Sequence, residues 1–173
     1  RELTVLNPND GSLVYPTTLS GCLGSMIEIV PTGNLDGYSF AWSPTTGLSN
    51  PNIPSPNFTF EGNITYTVTI TDLETECSYT QTVDITGLVE PDPSFTTMTG
   101  CDQGLTINFN NTSTDGATYA WDFGDLTTVT DVSTLENPSY TYPGPGTYTV
   151  QLTVTSIDGC IAMFTQEVVV VDV

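Results

Sequence analysis

Apolar and polar residues alternate with period two along Tyr66-Thr-Val-Thr-Ile-Thr71, Thr80-Gln-Thr-Val-Asp-Ile85 and Thr147-Tyr-Thr-Val-Gln-Leu-Thr-Val-Thr155. Successive side chains of a strand point to opposite faces, so this period predicts strands with one face buried and one wet. Between such stretches stand clusters of turn formers: Pro31-Thr-Gly-Asn34, Asn50-Pro-Asn52, Asn137-Pro138 and Pro143-Gly-Pro-Gly146. Their spacing suits short antiparallel strands. No segment sustains a helical period. The pattern predicts strands near 2–6, 25–30, 37–43, 57–60, 64–71 and 78–86, then near 94–98, 104–110, 117–123, 127–132, 138–142, 147–155 and 161–171.

The pattern occurs twice. Cys22, Trp42, Tyr66 and Cys77 in the first half are matched by Cys101, Trp121, Tyr148 and Cys160 in the second. Each leading Cys stands 20 residues before its Trp, and each Trp stands 24 or 27 residues before its Tyr. Phe40-Ala41-Trp42 matches Tyr119-Ala120-Trp121, and Tyr66-Thr-Val-Thr-Ile70 matches Tyr148-Thr-Val-Gln-Leu152. A repeat of this length means two modules rather than one core. A Trp on the third strand and a Tyr opening the penultimate one occupy the core and corner positions of an immunoglobulin-like sandwich. The chain therefore reads as all-β, two tandem immunoglobulin-like β-sandwiches joined end to end. The expected division is a module over 1–87, a linker over 88–93 stiffened by Pro91 and Pro93, and a module over 94–173. Trp42, Tyr66, Trp121 and Tyr148 are the expected structural core.

Charge then excludes whole classes of partner. One basic residue against 20 acidic gives a net charge of −19, which repels phosphate backbones and anionic lipid. Nucleic acid and direct membrane insertion are not expected, and no run approaches the ~18 apolar residues of a membrane span. Nine acids fall in 1–87 and eleven in 88–173, so the charge coats both modules. The chain opens without Met or a signal segment and reads as a piece of a longer one. Four cysteines without any His or a Cys-x-x-Cys pair point to disulfides and an oxidising, extracytoplasmic location. Asn57, Asn63, Asn110 and Asn111 match the glycan-acceptor pattern, as expected by chance in a chain rich in Asn and Thr.

Trp121-Asp-Phe-Gly-Asp125, then Asn137-Pro-Ser-Tyr-Thr-Tyr142, then Pro145-Gly-Thr-Tyr-Thr-Val-Gln-Leu-Thr-Val154, resembles the signature of PKD (polycystic kidney disease) domains over most of 91–173. Leu126 departs from the family, which has Gly after the second Asp, so a different turn is expected there. The first module is looser: Trp42-Ser-Pro-Thr-Thr-Gly-Leu-Ser-Asn50 replaces the motif, and the module resembles a PKD-like or immunoglobulin-like one. Tandem modules with this Cys placement are similar to those of long bacterial surface proteins, including gliding-motility adhesins exported by the type IX system. The resemblance implies a stalk or adhesin segment on the cell surface, not an enzyme.

Catalysis finds no support in the side chains. Without His or Lys the chain lacks the usual bases for Ser or Cys nucleophiles. Asp122 and Asp125, three apart at a strand end, are better read as acceptors for turn N–H groups than as an acid and base. No cofactor is expected; calcium is the one metal considered, because hard cations take clustered oxygen ligands. In an immunoglobulin-like topology Asp115 and Asp158 would face Glu90 and Asp92 of the linker, with Asp122 and Asp125 as further candidates. In the first module the same end gathers Asp36, Asp72, Glu74 and Glu76.

The cysteine pairing stays open between three readings. Pairs within modules, Cys22 with Cys77 and Cys101 with Cys160, are the simplest. Strand direction opposes them: the two sulfurs of each pair stand at opposite strand ends, roughly 20 Å apart for seven residues, while a disulfide needs Cα atoms within roughly 7 Å. The second reading staples Cys22 to Cys160 at the junction, leaving Cys77 and Cys101 for neighbouring modules; the third leaves thiols unpaired. The expected function is a non-catalytic, stiff spacer in a long extracellular surface fibre or adhesin, offering a weak surface for polysaccharide or protein and contacting neighbouring modules of the same chain. The alternative is an accessory polysaccharide- or protein-binding module of a secreted hydrolase. That would favour a surface row of aromatics, for which Tyr15, Tyr79 and Phe164 are the remaining candidates. A eukaryotic receptor module is the third reading.

Overall fold

The structure, a computed structural model, describes residues 13–98 and 104–171. The expected strand near 2–6 and Cys101 lie outside the described residues. The chain divides into two compact units, Arg1–Leu88 and Val89–Val173, and the described residues of both are all-β.

The first unit contains β1 (Leu13–Val14), β2 (Thr18–Gly21), β3 (Met26–Glu28), β4 (Thr32–Gly33), β5 (Tyr38–Ser43), β6 (Asn57–Thr59), β7 (Ile64–Asp72) and β8 (Ser78–Gly87). Its main sheet runs β2-β8-β7-β5, facing the short pairs β3-β6 and β1-β4. The period-two pattern explains which face is buried: Tyr66, Val68 and Ile70 of β7, Val83 and Ile85 of β8, and Phe40 and Trp42 of β5 point inward. They pack against Ile29, Phe58 and Phe60. Trp42 satisfies its indole N–H on the Ile53 carbonyl at 2.9 Å. The Tyr66 hydroxyl donates to the Thr46 carbonyl at 2.6 Å, bracing a loop against the strand.

The second unit contains β9 (Phe95–Met98), β10 (Thr106–Asn111), β11 (Thr118–Asp122), β12 (Val132–Ser133), β13 (Ser139–Thr141), β14 (Gly146–Thr155) and β15 (Ile161–Val170). Two sheets, β13-β10-β9 and β12-β11-β14-β15, enclose Phe95, Ile107, Phe109, Trp121, Val150, Leu152, Val154, Val168 and Val170. Trp121 repeats the arrangement of Trp42, its indole N–H donating to the Leu135 carbonyl at 2.9 Å. Tyr148 is half-buried rather than central, with its hydroxyl on the Gly144 carbonyl at 2.9 Å. Tyr142 takes the buried place beside it, 1% exposed, with ring centroids 4.0 Å apart.

Two sequence expectations change. The strand expected over 127–132 is a turn region, with only Val132–Ser133 pairing to β11. The polar run there serves the preceding turn, as described below. The other change is at the start of the first unit, where short strands β1, β2 and β4 carry too few residues to show a period.

Cross-strand register aligns the two units: Tyr66 stands opposite Val83, and Tyr148 opposite Val168. By that alignment Gln81 of β8 and Gln166 of β15 are equivalent. The leading segments are also alike in sequence, Thr17-Thr-Leu-Ser-Gly-Cys22 and Thr96-Thr-Met-Thr-Gly-Cys101. Yet β2 runs parallel to β8, pairing Thr18–Gly21 with Asp84–Gly87, whereas β9 runs antiparallel to β10 in the opposite sheet. The aromatic that covers the core Trp differs by one position. Tyr15 meets Trp42 edge-on at 5.0 Å, and Phe95, aligned with Pro16, meets Trp121 at 5.1 Å. A one-residue offset reverses which side chains face the core, so Thr18–Leu19 and their equivalents Thr97–Met98 join different sheets.

Candidate functional site

The Trp121-Asp-Phe-Gly-Asp125 segment forms a self-contained hydrogen-bonded turn. Asp122 accepts from the Gly124 N–H at 2.9 Å. Asp125, 4% exposed, accepts from the Thr127 N–H and hydroxyl at 3.0 and 2.7 Å on one oxygen, and from the Tyr140 hydroxyl at 2.9 Å on the other. Asp131, 7% exposed, accepts the Asp125 N–H at 2.8 Å. The Tyr140 ring stacks on Phe123 at 4.6 Å. Bonds from the Thr127 hydroxyl and N–H, helped by Tyr140, hold the Asp125 carboxyl below its ordinary value against the opposing effect of burial. Tyr140 moves the other way, pushed up to about 12 by burial first and then by its bond to Asp125 and the adjacent negative charge. The chemistry is that of a carboxylate locked as an acceptor.

Gly124 is the residue this turn cannot replace. It sits at φ 71°, and a Cβ there would lie 2.3 Å from the Thr149 carbonyl oxygen. Leu126, 99% exposed, is not among the positive-φ residues of the chain, so the departure from Gly falls where the backbone does not require one.

The other acidic candidates disperse. Asp92 and Thr114 exchange two backbone hydrogen bonds at 3.1 Å, which brings Asp92 beside Asp115, itself at φ 57°. Asp158, in the hairpin between β14 and β15, accepts the Val89 N–H at 3.3 Å. Glu90 is exposed. Among the described residues no three carboxylates of this set come within reach of one ion. In the first unit Asp72 caps its own hairpin, accepting the Glu74 and Thr75 N–H groups, each at 2.8 Å. Those bonds hold its carboxyl below the ordinary value, the Thr75 N–H most of all.

Cys22 and Cys160 are each disulfide-bonded, and Cys77 is free and exposed. Pairing of Cys22 with Cys77 is therefore excluded, and the strand directions explain it. Cys22 follows β2, which ends beside Gly87, while Cys77 precedes Ser78 at the other end of the same ten-residue strand β8. Ten residues span roughly 30 Å. The parallel β2 was the missing piece, being too short to leave a period in the sequence.

The aromatic candidates for a binding surface are also reassigned. Tyr15 is 2% exposed, with its hydroxyl on the Pro54 carbonyl at 2.6 Å, because its ring fills the space over Trp42. Tyr79 and Phe164 are half-buried against their cores. All 17 Phe, Tyr and Trp lie in the described residues, and none is exposed. No aromatic row is available for stacking on sugar rings.

Two immunoglobulin-like β-sandwiches with disulfide-bonded cysteines define an all-β module of the extracellular kind. Residues 89–171 match the PKD domain family. The chain is 34% identical to the PKD1 domain of Vibrio anguillarum Epp, over 49% of this chain and 98% of that one, with a TM-score of 0.43. It is 32% identical to the PKD1 domain of the Vibrio cholerae metalloprotease PrtV, over 48% of this chain and 99% of that one, with a TM-score of 0.41. A structure of carbohydrate-binding modules from the β-sandwich superfamily is 32% identical, over 49% of this chain and 35% of that one, with a TM-score of 0.40. No curated protein sequence matches. The family match identifies the second module, residues 89–171, as PKD-like. No helix among the described residues is long and apolar enough to cross a membrane.

Proposed function

We propose that the chain is a non-catalytic segment of a long extracellular surface fibre or adhesin, a stiff spacer that contacts neighbouring modules of the same longer chain. The observation that carries this reading is the repeat: two β-sandwiches on one Trp–Tyr frame, with every aromatic turned inward and the buried acids of the PKD turn committed to holding it. A role in gliding motility with export by the type IX route belongs to the same reading and rests on the module and cysteine pattern. The disulfide sharpens it. With Cys77 free and both Cys22 and Cys160 bonded, the proposed partners are Cys22 and Cys160, a staple that fixes one module to the next against bending. Peptide mapping under non-reducing conditions tests the pairing, and a Cys101–Cys160 peptide would remove it. The fibre itself is tested on the parent chain, where further copies of the frame are expected.

The accessory reading is favoured by the likeness to a PKD1 domain of a metalloprotease. A catalytic domain beside these modules in the parent chain would establish it instead. Polysaccharide stacking is its weaker form, since no aromatic is exposed.

A further inference from the structure

The last strand of each module meets a different fate at its outer edge. In the first module β7 lies on one side of β8 and β2 on the other, parallel over Asp84–Gly87. Just before that stretch the Gln81 side chain stands in for a further piece of strand. Its Oε1 accepts the Tyr15 N–H and its Nε2 donates to the Leu13 carbonyl, both at 2.8 Å. In the second module β15 has β14 on one side and, among the described residues, no strand on the other. Gln166 occupies the position of Gln81, is half-buried like it, and its amide has no hydrogen-bond partner among the described residues. The described part of the module's own leading segment lies elsewhere: Asp92 is paired to Thr114, Ser94 to Ser113, and Phe95–Met98 to β10.

We propose that the β15 edge from Gln166 to Val170 is a docking site for an extended segment of another protein, added as a parallel strand and clipped by the Gln166 amide. The warrant is internal to the chain: the equivalent edge already holds such a segment, in a known direction, through an equivalent Gln. Strand addition supplies main-chain hydrogen bonds, and the alternating side chains supply selectivity. Charge sets the chemistry of the occupant. Residues 89–173 hold eleven acidic and no basic side chains, and Glu167 lies within the edge itself, so the segment is uncharged or basic with alternating apolar residues. A second copy of the chain brings a net charge of −19 with it and is disfavoured.

The probe is a free peptide of the sequence Leu13–Gly21, which is uncharged and follows this path on β8. Titrated into the full chain, it is expected to bind saturably and to shift the backbone amide resonances of Thr165–Val170. Gln166→Ala is expected to weaken binding about tenfold, the equivalent of two modest hydrogen bonds. Gln166→Glu, which keeps the side-chain shape and the acceptor but sets a carboxylate oxygen against the carbonyl that the Nε2 would have met, weakens binding of the uncharged peptide in the same direction without opening a cavity. Absence of saturable binding overturns the proposal. So do shifts confined to β8, or an undiminished affinity in both variants. Concentration-dependent shifts of the same residues without peptide would make a second copy the occupant and overturn the assignment to a foreign segment.

Discussion

Thr17-Thr-Leu-Ser-Gly-Cys22 and Thr96-Thr-Met-Thr-Gly-Cys101 are nearly the same in sequence, yet Thr18–Gly21 completes the sheet of the last strand in the first module, while Phe95–Met98 pairs in the opposite sheet of the second. Two features accompany the difference. The Trp-covering aromatic precedes Pro16 in the first module and replaces that proline in the second, as Phe95. The second module also has a lock that the first lacks, the Asp125–Tyr140–Thr127 arrangement beneath Gly124. Strand assignment at a sandwich edge is thus set less by local propensity than by where one aromatic ring inserts. A shift of one residue changes the face presented and with it the partner.

Mutations can separate these contributions. Trp121→Ala should cost the second module about 3–5 kcal/mol, the range for large aromatic truncation in a packed core. Trp42→Ala should do the same to the first, so a two-step denaturation curve would assign each step to its module. Gly124→Ala should cost at least about 2 kcal/mol through left-handed strain and the clash with Thr149. Leu126→Gly, at the exposed position where the family carries Gly, should change stability little. A large effect at Leu126 would mean the turn depends on that residue after all. Gln81→Ala should destabilise the first module by about 1–3 kcal/mol, since it strands the Tyr15 N–H and the Leu13 carbonyl, while Gln166→Ala should leave melting of the free chain almost unchanged. Equal effects would erase the distinction between the two edges.

The smallest effects are in Tyr140 and pH. Tyr140→Phe should cost about 1 kcal/mol, read as a shifted denaturation midpoint. Because the Asp125 carboxyl is held low in the folded state, its contribution is present above the ordinary carboxylate value. It is lost as pH falls through the folded-state value. Asp72 acts in the same direction in the first module. Tyr140 runs oppositely: its contribution is present below the ordinary value of 10.0 and is lost as pH rises toward about 12. Acid titration of melting should therefore affect both modules. Alkaline titration should weaken the second module in part by way of Tyr140, an effect reduced in Tyr140→Phe but not abolished, because burial also raises the Tyr142 hydroxyl, and it should weaken the first module through buried Tyr15 and Tyr66.

Much of the architecture was legible because long strands announce themselves. Ile64–Asp72, Ser78–Gly87 and Gly146–Thr155 carry a full alternation, and Trp42 and Trp121 mark the cores. What escaped was short or context-dependent. A two- or four-residue strand such as β1 or β2 has no period to read. Tyr15 looked like a surface aromatic because nothing local shows that Trp42 lies across from it. Val129 and Thr130 read as strand, but the buried Asp131 belongs to the turn network, which only the folded positions of Asp125 and Tyr140 reveal. The turn-acceptor role of Asp122 was readable from its spacing; the equivalence of Gln81 and Gln166 needed the register.

Each core contains a single indole, its N–H bonded to a carbonyl of its own module. That arrangement makes the chain its own pair of optical reporters. With Trp42→Phe in place, the remaining emission follows only the second module, and with Trp121→Phe only the first. Loosening of one module under heat, acid or pulling can then be timed against the other without attaching a dye to a chain that offers a lone Arg, no Lys and an exposed Cys77 for labelling.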